Sequence, residues 1–132
     1  MMMREENLAL AKRGYELFAN GDFDTLRREL FSPDIVWRTA AHEAFEAEYK
    51  GVDAVLGYFT KLFELSSGTF RTEPVHVLAD DDRSVVIQHV SGTREGKLLE
   101  TEMINVFEVR DGKVYEVTQF VTDSSVLEAF WL

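Results

Sequence analysis

The chain has 132 residues, 45% hydrophobic and 12% aromatic, which is enough for one core and too few for two, so a single domain over residues 1–132 is expected. With 14 basic against 24 acidic residues its net charge is −10, which argues against a nucleic-acid surface or an anionic membrane as partner. No cysteine is present, so disulfides, thiolate nucleophiles and cysteine metal sites are excluded.

The opening Met1-Met2-Met3-Arg4-Glu5-Glu6 lacks the apolar run of a signal peptide, and no segment has the length of a membrane span. A cytoplasmic location is expected. From Arg4 to Asn20, Leu8, Ala11, Tyr15 and Phe18 recur at helical spacing, and Asn20-Gly21 ends the helix. Asp22 caps a shorter helix with Phe23, Leu26 and Leu30 on one face, broken by Ser32-Pro33-Asp34. Ile35-Val36-Trp37 reads as a short strand, and residues 39–50 as irregular. Gly51-Val52-Asp53 opens a third helix carrying Val55, Tyr58, Phe59, Leu62 and Phe63. Strands follow over Thr69–Ala79, Ser84–Arg94, Leu98–Arg110 and Lys113–Thr122. Asp123 or Ser124 then caps a closing helix with Val126, Leu127 and Phe130 on one side. Helices and strands segregate along the chain, which makes the fold class α+β, a helix-backed antiparallel meander with a hollow.

The order of elements carries a resemblance. Phe18 to Asp22, Asp34 to Trp37, Tyr49-Lys50-Gly51, Val85 to His89, Val106 to Val109, Asp111 to Val114, and Asp123 with Phe130-Trp131 together resemble the SnoaL-like (polyketide cyclase-like) branch of the nuclear-transport-factor-2-like superfamily. The resemblance implies a cone-shaped fold, a curved sheet wrapped round helices with a cavity at one end, and frequent homodimers through the outer sheet face. It does not imply one activity, because that fold hosts cyclases, isomerases, hydrolases, dehydratases and non-enzymatic binders.

Strand parity decides which side chains share the cavity face. A three-residue loop with a bulge at Arg110-Asp111-Gly112 puts Asn105 and Gln119 on one face with Met103, Phe107, Tyr115 and Val117. A similar loop at Glu95-Gly96-Lys97 adds His89, Val85 and Ile87. Glu102, Glu108, Glu116, Thr118, Ile104, Val106 and Val86 then lie opposite, and Ile104, Val106, Val86 and Val90 offer an apolar outer face for a second subunit. Two-residue loops would instead pair His89 with Glu102 and separate Asn105 from Gln119. The three-residue reading is the one favoured.

On that reading His89 is the leading catalytic candidate, as a general base or a hydrogen-bond donor near neutral pH. The alternative is a histidine satisfied within the sheet. Asn105 and Gln119 would orient a carbonyl or support His89, or else serve as structural amides. Trp37 and Tyr58 read as cavity wall or core, and His42 as rim or solvated loop; with His89, Asn105 and Gln119 they make up the expected ligand-binding set. His76, beside Pro74, reads as surface. The three histidines have no metal-ligand spacing, so neither a metal nor a cofactor is expected.

The resemblance also marks departures. Ketosteroid isomerases of this fold carry a carboxylate base at the end of the first strand, where this chain reads Trp37-Arg38-Thr39. SnoaL-like cyclases carry an aspartate near the position of Gln119, and the Asp-Arg-Asp set of epoxide hydrolases cannot be assembled on one face. Asp123 is explained as a helix cap, and Glu43, Glu46 and Glu48 as a charged loop. Three readings follow: a binder of a small, largely apolar oxygenated molecule; an isomerase, cyclase or lyase using His89; and a dimerising partner module. The first is placed ahead because the carboxylates of the known reactions are replaced.

Overall fold

A computed structural model describes residues 3–40 and 44–132; His42 lies outside them. The first helix, α1 (Met3–Ala19), buries Ala11 and Tyr15 and ends where Gly21 takes a positive φ of 67°. Asp22 then caps α2 (Phe23–Thr25), its carboxylate accepting from the Thr25 backbone N–H at 3.1 Å and from the Thr25 hydroxyl at 2.8 Å. A π-turn over Leu26–Leu30 carries the chain into β1 (Phe31–Arg38). Ser32-Pro33-Asp34 does not end this strand. Its pairing with the neighbouring strand jumps from Phe31 to Val36, an irregularity that spans the proline, which has no N–H to donate.

Part of the segment expected to be irregular pairs as β2 (Glu48–Lys50), antiparallel to the end of β1. After α3 (Val52–Leu65) come β3 (Arg71–Ala79), β4 (Arg83–Arg94), β5 (Lys97–Arg110), β6 (Lys113–Val121) and α4 (Ser124–Trp131). The six strands form one sheet in the order β2-β1-β6-β5-β4-β3. Only β1 and β6 run parallel. Helix α1 packs on β3 and β4, α3 on β1 and β2, and α4 on β5, so the helices cover one face of the sheet. Between them the aromatic rings interlock: Phe18 meets Phe59 edge-on at 4.9 Å, and Trp37 meets Phe59 likewise at 4.9 Å.

The two hairpins that set the face of every later residue both turn in two residues. Glu95-Gly96 joins Arg94 to Lys97, and Asp111-Gly112 joins Arg110 to Lys113, with positive φ at all four central residues. The β4–β5 ladder runs without a shift, so His89 pairs with Glu102, and Val86, Gln88 and Val90 point inward and are buried. The inward placement expected for His89, Val85 and Ile87 is therefore corrected, as is the outward placement of Val86 and Val90. The cause is the shorter first turn, which inverts the parity of β4. In the β5–β6 ladder the register shifts between Glu108 and Val109: Val109 faces Val114 while Glu108 faces Glu116. Tyr115 is the extra residue of this bulge. It leaves the inner face, and the Arg110 guanidinium lies 4.2 Å from its ring centre. Beyond the bulge Asn105 pairs with Gln119, on the shared face that the sequence predicted.

The outer face is crossed by half-buried Val85, Ile87, Ile104 and Val106, with Leu78 and Phe120 exposed beside them. The helix α4 is held at both ends. The Asp123 carboxylate accepts from the Ser125 N–H at 3.0 Å, while Lys97 Nζ donates to the Ala129 carbonyl at 3.1 Å and Arg94 Nη1 to the Leu132 backbone oxygen at 2.7 Å. None of the described helices is long and apolar enough to cross a membrane.

Candidate functional site

A cavity of about 80 Å³ lies between the inner face of the sheet and the helices. Its wall is mostly hydrocarbon, from Leu10, Leu26, Leu30, Phe31, Phe59 and Leu62 on the helical side and Met103, Phe107, Val109 and Val114 on the sheet. The alternation of β4, β5 and β6 adds a few polar side chains to this lining: Ser84, Gln88, Asn105 and Gln119. Trp37 and Tyr58 also line it, so four of the residues expected to bind ligand, Trp37, Tyr58, Asn105 and Gln119, share one space. His89 is not among the lining residues. It is half-buried on the opposite face of the sheet, in register between Glu73 of β3 and Glu102 of β5.

The polar groups form two small clusters. In the first, Asn105 Nδ2 donates to the Tyr15 hydroxyl at 3.1 Å and lies 3.4 Å from Gln88 Oε1. The second joins the Tyr58 hydroxyl to Gln119 Oε1 at 3.4 Å, with the Tyr49 ring stacked on Tyr58 at 4.7 Å. Ser84 is spent elsewhere, donating to the Asn7 carbonyl at 3.0 Å. Among the described residues two buried side-chain atoms have no partner: Trp37 Nε1, a donor, and Asn105 Oδ1, an acceptor. Such orphans are rare in folded proteins because each has lost its water without a replacement.

The charge of the site is as informative as its shape. No Asp, Glu, His, Lys or Arg appears among the described lining residues. The only ionisable groups there are Tyr15 and Tyr58, and burial pushes both phenols well above the usual tyrosine value. Both stay neutral across the physiological range. The cavity lining, among the described residues, therefore holds oriented neutral dipoles and no side chain that exchanges a proton near pH 7. Among the described residues, no three His, Asp or Glu side chains gather as a metal site.

Tyr15 and Gln88 are site residues that the sequence reading passed over. Tyr15 was assigned to the apolar stripe of the first helix, where its hydroxyl left no trace in the periodicity. Gln88 follows from the strand parity once the Glu95-Gly96 turn is given two residues. Tyr15 and Thr72 also line an open groove between α1 and β3, so these two side chains separate the cavity from solvent on that side.

Comparison with known proteins agrees with this architecture. The model of the SnoaL-like domain matches residues 11–117. Among solved structures, Bal32a, from a soil-derived mobile gene cassette, is 31% identical with a TM-score of 0.92, over 98% of this chain and 99% of its own. A protein of unknown function with a cystatin-like fold from Xanthomonas campestris is 28% identical with a TM-score of 0.87, over 95% and 97%. An NTF2-like protein from Burkholderia xenovorans shares the fold at 18% identity and a TM-score of 0.79, over the full length of both chains. No curated protein matches the chain in sequence.

Proposed function

The chain belongs to the SnoaL-like family, and from that premise we propose that its cavity takes up a small, largely apolar, oxygen-bearing molecule without transforming it. The observation that carries this reading is the pairing of a hydrocarbon wall with neutral amide, indole and phenol groups, and no ionisable side chain beyond the two phenols among the described lining residues. Apolar surface supplies affinity and a few placed dipoles supply orientation, the usual division of labour in a small-molecule site. Trp37, Tyr58, Asn105 and Gln119 are the proposed contacts, joined by Tyr15 and Gln88. Among the described lining residues proton-transfer catalysis finds no base, since His89 lies across the sheet.

The test is thermal and calorimetric titration with neutral cyclic alcohols and ketones. Saturable stabilisation is expected, reaching about 2.7 kcal/mol at 100 times the dissociation constant. A bulky Val109→Phe variant, which fills the cavity, should abolish it. Absence of saturable stabilisation across this panel and across simple aromatic rings would overturn the proposal.

We also propose that two copies pair through the outer sheet face. The support is the apolar band of Val85, Ile87, Ile104 and Val106 with exposed Leu78 and Phe120, on a chain whose net charge of −10 otherwise keeps copies apart. Sedimentation equilibrium at micromolar concentration should give twice the chain mass, and a monomer there would sink the idea.

A further inference from the structure

We propose that the molecule held in this cavity is an uncharged, hydroxylated single ring, phenol being its simplest form. The proposal rests on the binding reading above and narrows it. Two atoms define the polar demand. Trp37 Nε1 can only donate and Asn105 Oδ1 can only accept, and the Nδ2 of that amide is already committed to Tyr15 and Gln88. Both side chains line the cavity, and they are only 5% and 4% exposed, so bulk solvent does not satisfy them.

A ketone or ether oxygen would answer Trp37 and leave Asn105 orphaned. A group that only donates, such as an indole-type N–H, would do the reverse. A hydroxyl both accepts and donates, and one hydroxyl serves both atoms where they converge on it; a dihydroxy ring serves them where they do not. A carboxylate or an ammonium group would meet no counter-charge among the described lining residues.

Size and wall chemistry select the rest. The cavity, about 80 Å³, is roughly half the ~150 Å³ that admits benzene, so one ring is the limit and enters by a small outward shift of the walls. The same shift uncovers the two shielded atoms. Around Trp37 the rings of Phe59 and Phe107 stand edge-on at 4.9 Å and 6.2 Å, an arrangement that offers ring edges and faces to an aromatic guest. Fused polycyclic molecules exceed the space.

The experiment is calorimetric titration of the intact protein with phenol, resorcinol, benzene, benzoate and 2-naphthol. Phenol or resorcinol should bind about tenfold more tightly than benzene, the value of roughly one net hydrogen bond, and benzoate should not bind. Trp37→Phe should bring the hydroxylated rings toward benzene while leaving benzene unchanged; if that variant does not fold, the wild-type ratio decides. Equal affinity for benzene and both phenols would overturn the polar signature. A tighter 2-naphthol would overturn the single-ring limit, and a tighter benzoate the uncharged class. Each of those results leaves the binding reading standing. That reading fails only if these rings and the cyclic alcohols and ketones all fail to bind.

Discussion

The hairpins β4–β5 and β5–β6 turn through the same backbone conformation, and their strands nonetheless obey different rules. Each closes with two residues of positive φ, Glu95-Gly96 in one and Asp111-Gly112 in the other. The first ladder then runs in register along its whole length, while the second gains Tyr115 as a bulge three residues into β6. Were the same strand paired without a shift from the turn onward, Gln119 would face Ile104, on the side opposite Asn105, and the second polar cluster would lie outside. Turn geometry alone does not assign side chains to a cavity; a bulge further along the strand carries equal weight.

Inserting one residue after Val117 breaks the comparison most severely. Thr118 would turn inward and Gln119 outward, and a loss of more than about 4 kcal/mol, or no cooperative transition at all, is expected in a urea titration followed by circular dichroism. Deleting Tyr115 should by contrast leave Gln119 opposite Asn105, and a native-like midpoint for the insertion would refute the role given to the register.

The unshifted hairpin is sharpened at Gln88, 1% exposed and within 3.4 Å of Asn105. Gln88→Ala should cost about 1–3 kcal/mol in the same titration, through lost packing and a less satisfied Asn105 amide.

Raising the pH probes the two cavity tyrosines together. Burial raises the folded-state values of Tyr15 and Tyr58 above the unfolded value near 10. Their contribution is thus fully present below that pH and is lost as the unfolded chain ionises above it. Thermal melts should show stability falling by about 1 kcal/mol per tyrosine for each unit above pH ~10. Tyr58→Phe should make that fall shallower, and an unchanged slope would contradict the burial of its hydroxyl.

The smallest effect belongs to the next residue along the same strand. His89→Ala should change stability by no more than about 0.5 kcal/mol and leave ring affinity untouched, because the imidazole lies on the outer face. A large loss of affinity would return His89 to the candidate site.

The helices were legible in the sequence because their apolar stripes keep a period near 3.6, and the Asp22 and Asp123 caps because a carboxylate before a helical run has few other uses. β2 was not, since Glu48-Tyr49-Lys50 is short and polar and becomes a strand only by pairing with β1. Trp37, Tyr58, Asn105 and Gln119 line one cavity, and Asn105 and Gln119 share a face through an extra residue that lies inside β6 rather than in the turn. His89 was misplaced for a local reason. Left-handed turn positions favour Asn, Asp and Gly, and Glu95 at a φ of 51° gives no such signal. Tyr115 carries no mark of a bulge either, because its conformation is set by the strand it pairs with.

The chain contains two tryptophans, Trp37 and Trp131, and both stand in the cavity wall. Indole emission responds to the polarity around the ring and to hydrogen bonding at its nitrogen, and in Trp37 that nitrogen has no partner. The protein's tryptophan fluorescence therefore reports on this interior space. A guest that enters it should change the colour or intensity of the light without any label attached to the chain.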